Sequence, residues 1–224
     1  ESILINDLKD LLNVKDNLFN DISVSDSTSQ NILKDIPKWV IKGDFVRKQN
    51  DLIISHKTDG SKIIFEDYYS NYSLFDIFTE NGLFLKSSVI TSLAGPLIRG
   101  KYAQADSSEI LSIGEVSQIT GDVTSFGSDG IQKKLKVGSQ VFQSDVIETS
   151  GKGSVGITFI DKTTLSLSDN GRMVLDELVY NSSTGTGSMS VDMIEGAFSF
   201  ISGEIAKPGP GSMEISTPVA TVGI

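Results

Sequence analysis

The sequence predicts an all-β protein with two β modules, a small sandwich followed by a larger sandwich or roll, behind a short N-terminal helix. Three observations carry that expectation. Apolar and polar residues alternate over many short runs, as at Val155, Ile157 and Phe159 or Met189, Val191 and Met193. Successive side chains on a strand point to opposite faces, so a period of two marks a half-buried strand. Glycine-bearing turns such as Ser128-Asp129-Gly130 and Ser150-Gly151-Lys152-Gly153 separate the runs, and residues 109–224 show no helical period.

The N-terminal stretch reads differently. Over residues 1–22, Leu4, Leu8, Leu11, Leu12, Leu18 and Phe19 fall roughly on one helical face, with Asp7, Asp10 and Asp16 mostly elsewhere. Polar residues 23–31 then form a linker, so 1–36 is expected to be a helix and its tether. This helix packs against the body of the protein or docks a partner.

From residue 37 to 85 the period changes to two. Residues 51–55 and 63–65 are β-rich, and Asp59-Gly60 between them is a hairpin signal, because glycine tolerates the positive φ of a tight turn. Residues 86–108 carry breakers and small residues, including Gly95-Pro96 and Arg99-Gly100, and are expected to form a connector. Residues 109–224 form the larger domain, with strands expected over 113–119, 135–137, 141–147, 155–160, 164–167, 173–180, 189–194, 198–201 and 213–222.

Bulk properties exclude several function classes. The 224 residues carry a net charge of −10. Residues 1–106 hold 12 basic and 15 acidic groups, and residues 107–224 hold 7 and 14. A negative field repels phosphate backbones, so no nucleic-acid partner is expected. No apolar run approaches the roughly 18 residues of a membrane helix, so no transmembrane segment is expected. The chain opens Glu1-Ser2 without an initiator methionine, a basic n-region or an apolar h-region. It contains no cysteine, so an exported fold would rest on packing rather than on disulfides.

The larger module resembles a known family. Gly121-Asp122-Val123, then residues 135–149 (Leu-Lys-Val-Gly-Ser-Gln-Val-Phe-Gln-Ser-Asp-Val-Ile-Glu-Thr), resemble the opening of a FecR-type domain. Gly153-Ser154-Val155-Gly156-Ile157-Thr158-Phe159-Ile160-Asp161, Leu165-Ser166-Leu167, Gly196-Ala197-Phe198-Ser199-Phe200 and residues 215–224 continue that order. Lys162 departs from the pattern, standing where the family usually has glycine after the aspartate. The chain stops at Ile224, where the family usually continues with Arg-Gly-Thr.

The first module is similar to the prefix domain of BapA-like biofilm adhesins, on Gly43-Asp44-Phe45-Val46-Arg47, Asn50-Asp51-Leu52-Ile53-Ile54 and Ile63-Ile64-Phe65-Glu66-Asp67-Tyr68-Tyr69. Together the two resemblances imply the N-terminal region of a giant alphaproteobacterial surface adhesin, exported in one step (type I secretion) by a channel that reads a C-terminal signal. They imply an extracellular, non-enzymatic role in retention, assembly, cell contact or biofilm. The expected partners are other copies of the chain, other surface proteins and the outer-membrane secretion channel. Two other roles share the fold: a self-assembling subunit of a surface layer or filament, and a periplasmic FecR-like signalling domain.

Catalytic chemistry is not expected. A triad needs a nucleophile, a base and an orienting acid; the one histidine, His56, sits beside the Asp59-Gly60 turn. One histidine and no cysteine cannot build a structural zinc site. Calcium is the only cofactor with a case, through the oxygens of Asp161, Asp169 and Asn170, and those groups are expected to bond their own backbone in turns instead. Two segments carry site expectations. Residues Val219, Ala220, Thr221, Val222, Gly223 and Ile224 are a β-rich strand that could be donated to another copy. Leu93, Ala94 and Gly95 loosely resemble the small-residue sites at which some adhesins are clipped, without the usual paired alanines.

Overall fold

The computed structural model describes residues 2–5, 32–70, 74–95, 111–127 and 130–224. The chain divides into two compact units, Glu1–Ile98 and Arg99–Ile224, and the fold is all-β.

Among the described residues, the first unit holds two sheets. Strands β1 (Ser2–Ile5), β5 (Lys62–Phe65), β4 (Asp51–Ser55) and β3 (Asp44–Lys48) lie side by side in that order. Strands β2 (Ile32–Ile36), β6 (Asp76–Thr79) and β7 (Phe84–Leu85) form the second sheet. The hairpin β4–β5 turns at Asp59 and Gly60, where Gly60 has φ 78°, as the sequence predicts. Helix α1 (Ser87–Ala94) packs on β3 and β6, one strand from each sheet, and buries Val89, Ile90, Leu93 and Ala94. Its first turn is capped from outside: Ser87 N–H donates to the Asp76 carboxylate at 2.7 Å. Its last turn closes on Gly95, whose N–H reaches the Thr91 and Ser92 carbonyls. Tyr68 and Phe75 meet edge to face at 4.6 Å, and the Tyr68 hydroxyl donates to the Phe75 carbonyl at 3.1 Å. Burying that ring and its hydroxyl pushes the Tyr68 pKa above its ordinary value.

Three expectations change here. Ser2–Ile5 is a strand, not the start of a helix: it pairs in parallel with β5, Ile3 opposite Ile63 and Leu4 opposite Ile64. The sequence Ser-Ile-Leu-Ile suits a pleated edge better than a helix, because isoleucine is stiff at χ1. The remainder of the expected helix lies outside the described residues. Ile32–Ile36 is a strand rather than tether, pairing in parallel with β6. Residues 87–94 of the expected connector are the helix α1, whose apolar face belongs to the first unit.

The second unit is a β-sandwich. Its larger sheet orders β10 (Gln132–Lys134), β9 (Val123–Phe126), β12 (Val146–Thr149), β15 (Arg172–Asn181), β16 (Thr186–Glu195), β18 (Met213–Ser216) and β19 (Thr221–Gly223). The smaller orders β11 (Gln140–Val141), β8 (Gly114–Thr120), β13 (Ser154–Phe159), β14 (Thr164–Leu167) and β17 (Phe198–Ile201). One contiguous core joins their inner faces: Val155, Ile157, Phe159, Leu165 and Leu167 from the smaller sheet meet Ile147, Met173, Leu175, Val191, Met193 and Ile215 from the larger. Each fully buried side chain of this size contributes about 1.5–3 kcal/mol.

Two predicted strands are each broken by a turn. Residues 141–147 divide into β11 and β12, which lie in different sheets. Between them Ser144 takes φ 67°, and the buried Asp145 carboxylate accepts from Phe142 N–H at 3.0 Å. The chain changes sheet at this turn, which no alternation of apolar residues could signal. Residues 213–222 divide at Thr217 to Ala220, where Thr217 N–H donates to the Ala220 carbonyl at 2.7 Å. Pro218 lacks a ladder donor, which suits it to that turn. The run expected over 135–137 is displaced to β10.

Candidate functional site

The glycine-and-aspartate turns of the second unit are where sequence and geometry meet most closely. Asp161 follows β13 and is fully buried. One carboxylate oxygen accepts from Thr163 N–H at 3.0 Å; the other accepts from the Thr163 hydroxyl at 2.7 Å and from Ile205 N–H at 3.4 Å. A buried carboxylate is costly unless its lone pairs are occupied, and here they fasten the β13–β14 turn to the segment after β17. Lys162, the next residue, has φ 73°. That left-handed conformation is the one glycine adopts freely. Gly203 closes the same junction: a Cβ there would stand 2.3 Å from the Asp161 carbonyl. Asp169 and Asn170 lie on the exposed turn before β15, with the Asn170 amide donating to Asp169 at 3.4 Å. Among the described residues no group of three or more potential ligands is placed to hold a metal ion.

The segment expected to serve as a donor strand is folded into its own sheet. β19 pairs antiparallel with β18, Glu214 opposite Gly223 and Ser216 opposite Thr221. Ile224 N–H donates to the Met213 carbonyl at 2.9 Å, and its carbonyl accepts from Gly211 N–H at 3.0 Å. β19 is the last strand of the larger sheet, and its outer edge carries no partner strand among the described residues. Val219 and Ala220 are exposed in the preceding turn. The residues considered for clipping are less accessible. Leu93 and Ala94 are buried in the last turn of α1 and Gly95 ends it. Cleavage there requires the helix to open first, because a helix keeps its backbone groups bonded to one another.

A shallow groove of about 440 Å³ lies on the second unit, lined by Ser112, Glu115, Ser117, Gln140, Thr158 and Lys162 among others. It offers hydroxyls, an amide, one carboxylate and one ammonium. His56 is in the other unit, in the β4–β5 turn, where its Nδ1 accepts from Thr58 and Asp59 N–H at 3.3 and 3.2 Å. Trp39 packs edge-on against it at 5.3 Å. Beside this sheet the Arg47 guanidinium sits over the Tyr69 ring at 4.0 Å. The Tyr69 hydroxyl is buried without a hydrogen-bond partner among the described residues, and burial pushes its pKa up to about 12.

Sequence reasoning missed the outer face of the first sheet. Val46, Ile53 and Ile64 line up across β3, β4 and β5 on the side opposite the core. The signal was present: Leu52-Ile53-Ile54 and Ile63-Ile64-Phe65 are unbroken apolar runs, which mark strands apolar on both faces.

Comparison with family models finds no match, and comparison with curated proteins finds none. Among solved structures, a chain titled "Cell surface anchoring domain" is 31% identical over 28% of this chain and 82% of its own length, with a TM-score of 0.27. No described helix is long and apolar enough to cross a membrane.

Proposed function

We propose that the chain is a non-enzymatic structural module of a large secreted bacterial surface adhesin, serving retention, assembly or cell contact. The observation that carries the reading is the turn at Asp161 and Lys162. The FecR-like motif order calls for a glycine after the aspartate, and the backbone at Lys162 takes the left-handed conformation that a glycine would take. Two glycines of that order give further support. Gly121 also has positive φ, and a Cβ on it or on Gly153 would stand 2.6 Å from a backbone carbonyl oxygen. The cysteine-free composition suits a fold that holds together outside the cell by packing.

The role is tested by deleting the coding segment for residues 2–224 in frame and following the encoded protein by immunoblot in cells and medium. The reading expects loss of the protein from cells, or loss of cell–cell attachment with the protein still present. Unchanged retention and attachment would contradict it.

A further inference from the structure

We infer that the groove on the second unit binds a short saccharide carrying a carboxylate. Such binding goes beyond the proposed surface role and does not depend on it. Gln140, Glu115 and Thr158 form one row across β11, β8 and β13, with Glu115 paired directly to Gln140 on one side and to Thr158 on the other. Side chains so paired share a face, and Gln140 and Glu115 are exposed on it. Lys162 follows β13 in the next turn and lines the same groove, as do Ser117 and Ile160. Among the described residues, the side chains of Glu115, Gln140, Thr158 and Lys162 have no hydrogen-bond or ion-pair partner. Glu115 and Lys162 thus line one groove without pairing with each other.

The backbone at Lys162 is a second, independent observation. Its φ of 73° is one that a residue with a side chain adopts at a cost in stability. No hydrogen bond or ion pair of its ammonium offsets that cost among the described residues. Strain of this kind collects at binding sites, where the surrounding fold holds a side chain ready for a ligand. The fold holds it here through the preceding residue. The buried Asp161 carboxylate bonds Thr163 and Ile205, which fixes the turn that carries Lys162.

The unpaired groups define the ligand. The Glu115 carboxylate only accepts hydrogen bonds, the Lys162 ammonium only donates, and the Gln140 amide and Thr158 hydroxyl do both. A sugar hydroxyl donates and accepts, so one kind of ligand group serves the whole row. A carboxylate on that sugar meets the compact positive charge of Lys162, while Glu115 repels it and so fixes the direction of binding. Other classes fit less well. A phosphate offers Glu115 no donor, a divalent cation finds one carboxylate there, and an extended peptide needs a longer free edge than the two residues of β11. Three strands about 4.8 Å apart span roughly 10 Å, the reach of a disaccharide. The volume of about 440 Å³ lies within the usual range for small-molecule sites. The groove is shallow, so one site binds weakly and gains strength where copies and sugars are both repeated.

Two-dimensional NMR titration of the full chain with galacturonate, mannuronate and glucuronate disaccharides tests this, with maltose and lactose as neutral controls. At least one acidic sugar is expected to bind saturably in the millimolar range, with amide shifts centred on Glu115, Gln140, Thr158 and Lys162. The neutral sugars should bind about threefold or more weakly, the scale of an exposed ion pair. Lys162→Gly should abolish that preference while raising the urea midpoint, so lost binding is not lost folding. Lys162→Arg keeps the charge and should keep the preference. Gln140→Ala should weaken acidic and neutral sugars alike, because it meets hydroxyls common to both. Absence of saturable binding by every acidic sugar overturns the inference, as do shifts centred elsewhere or neutral sugars bound as tightly as acidic ones. A preference for acidic sugars that survives Lys162→Gly also overturns it.

Discussion

Asp161 and Lys162 show how one turn can carry both strain and stability. The Asp161 carboxylate occupies the Thr163 and Ile205 donors inside the protein. Replacing it with alanine strands those buried donors, and hydrogen bonds to charged groups are worth about 1.5–3 kcal/mol each. Asp161→Ala is therefore expected to lower the stability of the second unit by about 3 kcal/mol, read as a shifted midpoint in urea unfolding followed by circular dichroism. Lys162 acts in the opposite direction. A non-glycine residue in the left-handed region costs roughly 1–2 kcal/mol, part of which glycine returns as extra freedom in the unfolded chain. Lys162→Gly is expected to stabilise the unit by about 1 kcal/mol in the same assay. A lysine that proved neutral or better than glycine would mean that its exposed side chain makes compensating contacts.

At the scale of elements, β18 and β19 differ in what they hold up. Met213 and Ile215 of β18 are fully buried, whereas Thr221, Val222 and Gly223 of β19 are exposed. Removing residues 219–224 is expected to leave the second unit folded with a modest loss of stability. Removing 213–224 is expected to unfold it, because large buried side chains each contribute about 2–5 kcal/mol. Thermal unfolding of the two truncations decides between these outcomes, and only the shorter one can test assembly through the terminal strand. The same contrast shows what the sequence revealed. Alternation found β13, β14 and β17, where one face is buried (half-buried in β17) and the period stays at two throughout. It joined β18 to β19 and β11 to β12, because a tight turn at Thr217 or Ser144 interrupts hydrogen bonding without interrupting apolar spacing. It missed α1 because that helix is only eight residues long and rich in serine and threonine, and its cap comes from Asp76 on another strand. Of the site, the Asp161 turn was readable from local chemistry. The outer row of Val46, Ile53 and Ile64 needed the register between strands, which only the fold supplies.

At the scale of the whole molecule, two β units each bury an apolar interior of their own. With no cysteine in the chain, each unit is held by packing rather than by disulfides, as the proposed surface role requires. The net charge of −10 gives the chain a negative field, which repels phosphate backbones. Location is the central claim, and protease treatment of intact cells tests it most directly. Antibody raised against residues 111–224 is used to probe cells before and after external protease. The account expects a band far above the 24.1 kDa of this chain, lost on protease treatment while a cytoplasmic control survives. A band that resists protease would place the protein inside the outer membrane and contradict the account.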